Sequence, residues 1–285
     1  MNTLKRISKL SINSPAGNRK FGLDITFRDD SSTKPVIVFV HGFKGFKDWG
    51  PFPLMADYFA HMGYIFVKFN FSHNGTTLEK PLDFADLEAF GNNRYSIELD
   101  EIGYVLDFID SPAFPIPEDQ LSGKQFLIGH SRGGGISIAK CNEEPRIHSL
   151  ATLAAVGNLA PWDEKAVETW KKDGVIYIHN GRTHQDMPLY FSLVEDYLHH
   201  ENRLNLADIA PRLSIPWLII HGDADETVPI AQGLKLHELN PKSQWLQMEG
   251  AGHTFDGNHP FDGDQLPGDL LQALKAIHEH FQKSL

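Results

Sequence analysis

Short apolar runs rich in β-branched and aromatic residues alternate along this chain with stretches of helical character, and a chain patterned in this way has few arrangements that bury every run. The runs at residues 36–40 and 64–71 are almost continuously apolar, as strands covered on both faces are. Residues 21–27 alternate apolar with polar or small side chains and read as an edge strand. Further runs at 126–128, 149–155, 217–220 and 244–248 complete the set, with helices expected at 53–62, 94–110, 134–142, 230–239 and 267–282. In the second of these helices, Ile97, Glu101, Tyr104, Val105 and Phe108 recur at amphipathic spacing, placing one side on a sheet. The expectation is an α/β fold, a mostly parallel central sheet with helices on both faces.

The length of 285 residues suits one domain spanning residues 1–285. The alternation breaks between residues 157 and 213. There, Trp162 to Lys172 has helical character, residues 174–179 read as a short strand turning at Asn180-Gly181, and residues 188–200 read as helix again. Long ordered excursions in compact domains usually serve function, so this segment is expected to be an inserted, mainly helical lid.

Composition narrows the partners. A formal net charge of −11, with no basic run longer than Lys171-Lys172, argues against nucleic acid, which demands clustered cations. The basic start Met1–Ser8 leads into no apolar stretch of signal-peptide length, and no run is long enough to span a bilayer. A cytoplasmic location is therefore expected. The single cysteine, Cys141, has no partner for an internal disulfide and is expected to pack in its helix; nothing resembles a cysteine-based zinc site.

Chemistry concentrates at three places. Gly129-His130-Ser131-Arg132-Gly133 stands where the run ending at Ile128 should turn into a helix, and such a turn exposes the serine oxygen at its tip. Beyond the run 217–220 come the acids Asp223, Asp225 and Glu226, and beyond 244–248 comes His253 in a small-residue loop from Gly250, followed by Asp256. An acyl-transfer nucleophile needs a base, an acid to orient that base, and donors for the developing oxyanion. Serine, then acid, then histidine is an order that supplies the first two on an α/β fold.

These residues resemble serine hydrolases of the α/β-hydrolase superfamily, in the style of esterases and dienelactone hydrolases. The likeness runs from about Phe21 to the end, outside the 157–213 segment. In that family the pattern His-Gly-x-x-Asp-x-x-Val-Pro supplies the acid, which the resemblance maps to Asp225 within His221–Pro229; Gly252-His253 matches the family's Gly-His. The resemblance thus implies a catalytic triad of Ser131, Asp225 and His253, with His130 and His221 packing within their turns. His41-Gly42-Phe43 is similar to the family's oxyanion loop, implying backbone N–H donors from Phe43 and Arg132. The implied activity is cleavage of carboxylic esters through an acyl-enzyme, on a small-molecule ester substrate and with no cofactor or metal. A small-peptide or amide hydrolase, or a hydrolase-fold binding protein with little turnover, remains an alternative reading.

Substrate contacts are expected from His73, Trp162, Arg182 and Tyr190, among aromatics that include Phe43, Phe46, Trp49 and Phe52. The Arg132 side chain could meet a substrate carboxylate or a local acid, such as one in the inserted segment.

Overall fold

The computed structural model describes residues 3–285. Its strands are β1 (Leu4–Asn13), β2 (Lys20–Arg28), β3 (Lys34–Val40), β4 (Ile65–Phe69), β5 (Leu121–His130), β6 (Ile147–Leu153), β7 (Val175–Asn180), β8 (Gln185–Tyr190), β9 (Trp217–Gly222) and β10 (Gln244–Met248). The helices are α1 (Phe52–His61), α2 (Leu87–Gly91), α3 (Tyr95–Ile109), α4 (Arg132–Glu143), α5 (Glu164–Asp173), α6 (Ser192–His199), α7 (Glu201–Leu204), α8 (Leu206–Ile209), α9 (Ile230–Leu239) and α10 (Gly268–Gln282).

Eight strands form one sheet in the order β1-β2-β4-β3-β5-β6-β9-β10, in which β1–β2 and β2–β4 are antiparallel and all other pairs parallel. Period-two alternation splits each central strand between two cores. On β3, Val36, Val38 and Val40 face the core shared with α3 and α4, while Ile37 and Phe39 face the one shared with α1 and α10. This double cover explains the near-continuous apolar runs.

Three expectations need correction. Residues 21–27 are not an edge: β2 lies between β4 and β1, and β1 takes the outer position. The sequence Leu4–Asn13 hides a strand because it is half exposed, rich in charge and interrupted by a register shift between Ile7 and Leu10. On α3 the buried stripe is Leu99, Ile102, Val105, Leu106 and Ile109, and Tyr104 faces outward at 44% exposure. Residues 188–200 are not one helix either: Pro188 to Tyr190 complete β8, paired with β7 through Leu189 opposite Ile176, before α6 begins at Ser192.

The 157–213 segment therefore consists of short helices around a separate two-stranded hairpin. Trp170, 1% exposed, fastens α5 to that hairpin by donating its Nε1–H to the Leu189 carbonyl at 2.9 Å. Asp196 of α6 accepts bonds from the Ser96 backbone N–H at 3.0 Å and from its hydroxyl at 2.5 Å, tying the segment to the start of α3. Cys141 packs in α4, where burial pushes its thiol pKa up. Among the described residues, no helix is long and apolar enough to cross a membrane.

Candidate active site

The passage from β5 into α4 occurs at Ser131, whose φ of 57° and ψ of −123° lie in a region that costs a non-glycine residue about 1–3 kcal/mol. The surroundings hold it there. A Cβ on Gly129 would sit 2.6 Å from the Gly133 carbonyl oxygen, and one on Gly133 would sit 2.4 Å from the carbonyl oxygens of Val40 and His41. Gly129 thus answers to the close approach of α4 to the end of β5, and Gly133 to that of α4 to the end of β3.

The loops after β9 and β10 bring the separated residues together. Asp225, in the loop after β9, has a fully buried side chain; its Oδ1 accepts bonds from the N–H groups of Thr227 (2.9 Å) and Val228 (2.8 Å). Its Oδ2 lies 2.8 Å from His253 Nδ1, and His253 Nε2 lies 3.0 Å from Ser131 Oγ. A carboxylate accepts only, so Nδ1 carries the ring proton and Nε2 is free to accept from the serine hydroxyl.

Among the described residues, the rival acids make no bond to His253. Asp223 accepts bonds from the Gly250 N–H (2.7 Å) and Gln247 Nε2 (3.0 Å), bracing the loop that leads to His253, while Glu226 and Asp256 are exposed. His130 donates from Nε2 to the His253 carbonyl at 2.9 Å, and burial pushes its pKa down to about 3, so it is a neutral brace. His221 donates to the Val228 carbonyl at 2.8 Å, and burial lowers its pKa as well. His41, pushed down to about 4 by burial, bonds the Gly42 carbonyl at 2.9 Å and receives the Phe71 N–H at 3.3 Å, which fixes the loop carrying Phe43.

Gly42 lies directly against the serine, where a Cβ would come within 2.8 Å of Ser131 Cβ, so Phe43 follows immediately beside the site. Arg132 is the first residue of α4, and first-turn N–H groups lie outside the helix's own ladder and favour negative charge. Its guanidinium reaches to α3. Nη2 donates to Glu98 Oε1 at 2.6 Å, and the guanidinium stands over the rings of Phe43 (4.5 Å) and Tyr95 (5.9 Å). The local acid is therefore on α3, not in the inserted segment. Burial raises the Glu98 pKa, and Arg132 opposes that shift. Sequence reasoning missed Glu98, although an acid at a core position of an amphipathic helix was a signal that it had a partner.

A cavity of about 660 Å³ opens beside Ser131 and His253, lined among others by Phe43, Trp49 and Tyr95. The 157–213 segment supplies Trp162, Ile176, Ile178, Leu189 and Arg182 to its lining. Of the expected substrate contacts, Trp162 and Arg182 line this cavity. His73 and Tyr190 do not. Tyr190 donates its hydroxyl to Glu88 Oε2 at 2.6 Å, and His73, paired with Ser72 Oγ at 2.6 Å, lines a separate depression with Arg19. Among the described residues, no group of three His, Cys, Asp or Glu side chains is placed to hold a metal ion.

No protein-family model matches the chain. Among curated proteins, the uncharacterized hydrolase YugF of Bacillus subtilis (strain 168) is 24% identical over 165 residues, which span 47% of this chain and only 60% of that protein. Among solved structures, Est1E from Butyrivibrio proteoclasticus, with ferulic acid bound, is similar at a TM-score of 0.71 and 16% identity, covering 96% of this chain and 98% of its own. A putative hydrolase from Agrobacterium vitis S4 gives a TM-score of 0.71 at 17% identity over 98% and 99% of the two chains. Dienelactone hydrolase from Anabaena variabilis gives 0.63 at 14% identity over 99% of each. Likeness at such identities is one of architecture: the chain has the α/β-hydrolase fold.

Proposed function

We propose that this protein is a serine hydrolase that cleaves carboxylic esters through an acyl-enzyme, with Ser131, His253 and Asp225 as its catalytic triad. The observation that carries this reading is the unbroken line from Asp225 through His253 to Ser131, with links of 2.8 and 3.0 Å, opening into a largely apolar cavity. Fold neighbours that include a dienelactone hydrolase and an esterase-like protein holding ferulic acid support an ester as the substrate class.

In this mechanism Ser131 Oγ attacks the ester carbonyl carbon as its proton passes to His253 Nε2. The carbonyl π pair moves onto oxygen, and the resulting oxyanion rests on the N–H groups of Phe43 and Arg132. Preorganised donors of this type contribute about 3 kcal/mol each to the transition state. Collapse of the intermediate expels the alkoxide, which takes the proton from His253 and leaves as the alcohol. Water then attacks acyl-Ser131 with His253 again as base, and the acid is released. Asp225 holds the ring and stabilises its transient positive charge. Residues 157–213 serve as a lid that keeps the acyl group out of water.

The test is sustained turnover of p-nitrophenyl butyrate together with labelling of Ser131 by a fluorophosphonate. Ser131→Ala should abolish both, and His253→Ala should lower turnover by about 10⁴-fold or more. Full activity in either variant refutes the triad, and one covalent equivalent without turnover would make the protein a binding protein instead.

A further inference from the structure

The cavity beside Ser131 has no aspartate or glutamate in its lining, yet Lys44, Arg132 and Arg182 all reach it. The chain as a whole carries 37 acidic residues against 26 lysines and arginines, so this wall inverts the balance of the molecule. Arg132 is neutralised from behind by Glu98. Lys44 and Arg182 are not: among the described residues, neither side chain has an ion-pair or hydrogen-bond partner. Their surroundings are aromatic instead. Lys44 Nζ lies 5.8 Å from the centre of the Phe43 ring, and the Arg182 guanidinium lies 5.4 Å from that of Phe46 and 5.5 Å from that of Phe84. Asp83 is close enough to favour the Arg182 charge but forms no ion pair with it.

An aromatic face attracts a cation yet offers no hydrogen-bond acceptor for its N–H groups, so both side chains keep unused donors. Lys44 is half-buried, and burial disfavours its ammonium form. It is also held at a φ of 54°, where asparagine or glycine would sit more easily. Lys44 stands on the loop after β3 and Arg182 on the turn between β7 and β8, and the Arg182 guanidinium packs on Phe46 of the Lys44 loop. The cavity they share with the serine is walled largely by apolar side chains, among them Phe43, Trp49, Trp162 and Ile178.

Building on the ester-hydrolase reading, we infer that the substrates are amphiphilic esters with an apolar body and a carboxylate remote from the scissile bond, and that Lys44 and Arg182 bind this carboxylate. A guanidinium fork and a point ammonium together match a single carboxylate, and the apolar walls disfavour a more heavily hydrated dianion.

The experiment compares mono-p-nitrophenyl suberate with its methyl ester, which is identical except for the capped carboxylate. Wild-type kcat/KM should favour the free acid by about tenfold or more, as for charge-assisted hydrogen bonds. The ratio should fall to near unity in Lys44→Gln/Arg182→Gln and drop below unity in Arg182→Glu. No preference in the wild type, or a preference that survives in the double variant, overturns the inference. Calorimetry on Ser131→Ala separates this site from the catalytic reading. Suberic acid monoamide should bind more tightly than the uncharged diamide, and the difference should vanish when Lys44→Gln and Arg182→Gln are added. Equal binding of the two amides refutes the anion site whatever the turnover, whereas undiminished ester turnover by Ser131→Ala refutes the triad and leaves the calorimetric result standing.

Discussion

The Arg132 guanidinium stands 4.5 Å from the centre of the Phe43 ring, so the two residues whose N–H groups form the proposed oxyanion hole are also in contact through their side chains. Glu98, with a side chain 1% exposed, anchors the arginine from below at 2.6 Å. On the proposed mechanism Glu98, which does not line the cavity, is a positioning residue that holds the Arg132 side chain against Phe43. Removing one partner of a buried ion pair costs about 3–5 kcal/mol, so Glu98→Gln should lower the melting temperature. It should also lower kcat by about tenfold with KM little changed, because oxyanion donors act chiefly on the transition state. Arg132→Met/Glu98→Leu should regain most of the stability without regaining kcat. A Glu98→Gln variant with unchanged kcat would reduce this contact to a structural one.

The glycines of the site differ sharply in what they tolerate. A methyl on Gly133 meets two backbone carbonyl oxygens at 2.4 Å, and neither can move without displacing β3 or the loop that follows it. Around Gly252, next to His253, a Cβ would meet nothing within 4 Å. Gly133→Ala should therefore destabilise the protein by about 3 kcal/mol or more, whereas Gly252→Ala should stay within about 0.5 kcal/mol of wild type. Urea denaturation of both variants checks this, and similar losses in the two would contradict the packing at Gly133.

Sequence pattern carried the central sheet well, because strands buried on both faces must be apolar throughout and β3, β4 and β9 meet that demand. It failed at β1, whose exposed positions admit lysine and arginine, and at Pro188–Tyr190, where a proline next to helical residues concealed the end of a hairpin. The meeting of Ser131, Asp225 and His253 was legible through the glycine-flanked serine turn together with the resemblance of His221–Pro229 and Gly252-His253 to hydrolase patterns. Tyr190 and His73 were placed near the site by residue type alone, and only the packing of α2 and the Ser72 contact assign them elsewhere. Glu98 and Lys44 were passed over for the same reason: their significance lies in what stands opposite them in space.

Trp162 stacks on Tyr95 at 6.4 Å and meets Trp170 edge-on at 5.5 Å, so it forms cavity wall from the inserted segment while remaining braced on both sides. If the acyl group lies along this wall, loss of the indole removes contact from long chains and little from short ones. Trp162→Ala should raise KM for p-nitrophenyl octanoate by about tenfold, consistent with the transfer energy of a large apolar contact, and change KM for the acetate by less than about twofold. Equal effects on both esters would place the acyl group elsewhere.

Glu101 is fully buried beneath the β1–β2 turn, where its carboxylate accepts bonds from Ser14 Oγ at 2.5 Å and from the Ser72 N–H at 3.0 Å. Burial outweighs these donors and raises its pKa from 4.5 to about 7. The native state therefore holds this proton more tightly than the unfolded chain does. The resulting stabilisation is complete below the unfolded value of 4.5 and is lost as pH rises through about 7, a change of about 3 kcal/mol. Other carboxylates, such as Asp24 and Glu143, have lowered pKa values and the opposite dependence, so the wild-type curve alone mixes the two effects. Glu101→Gln keeps one acceptor oxygen for the Ser72 N–H, can donate its amide to Ser14 Oγ and has no proton to release. Urea unfolding of both proteins from pH 5 to pH 8 should show wild type losing stability relative to Glu101→Gln as pH rises, and a difference independent of pH would refute the assignment.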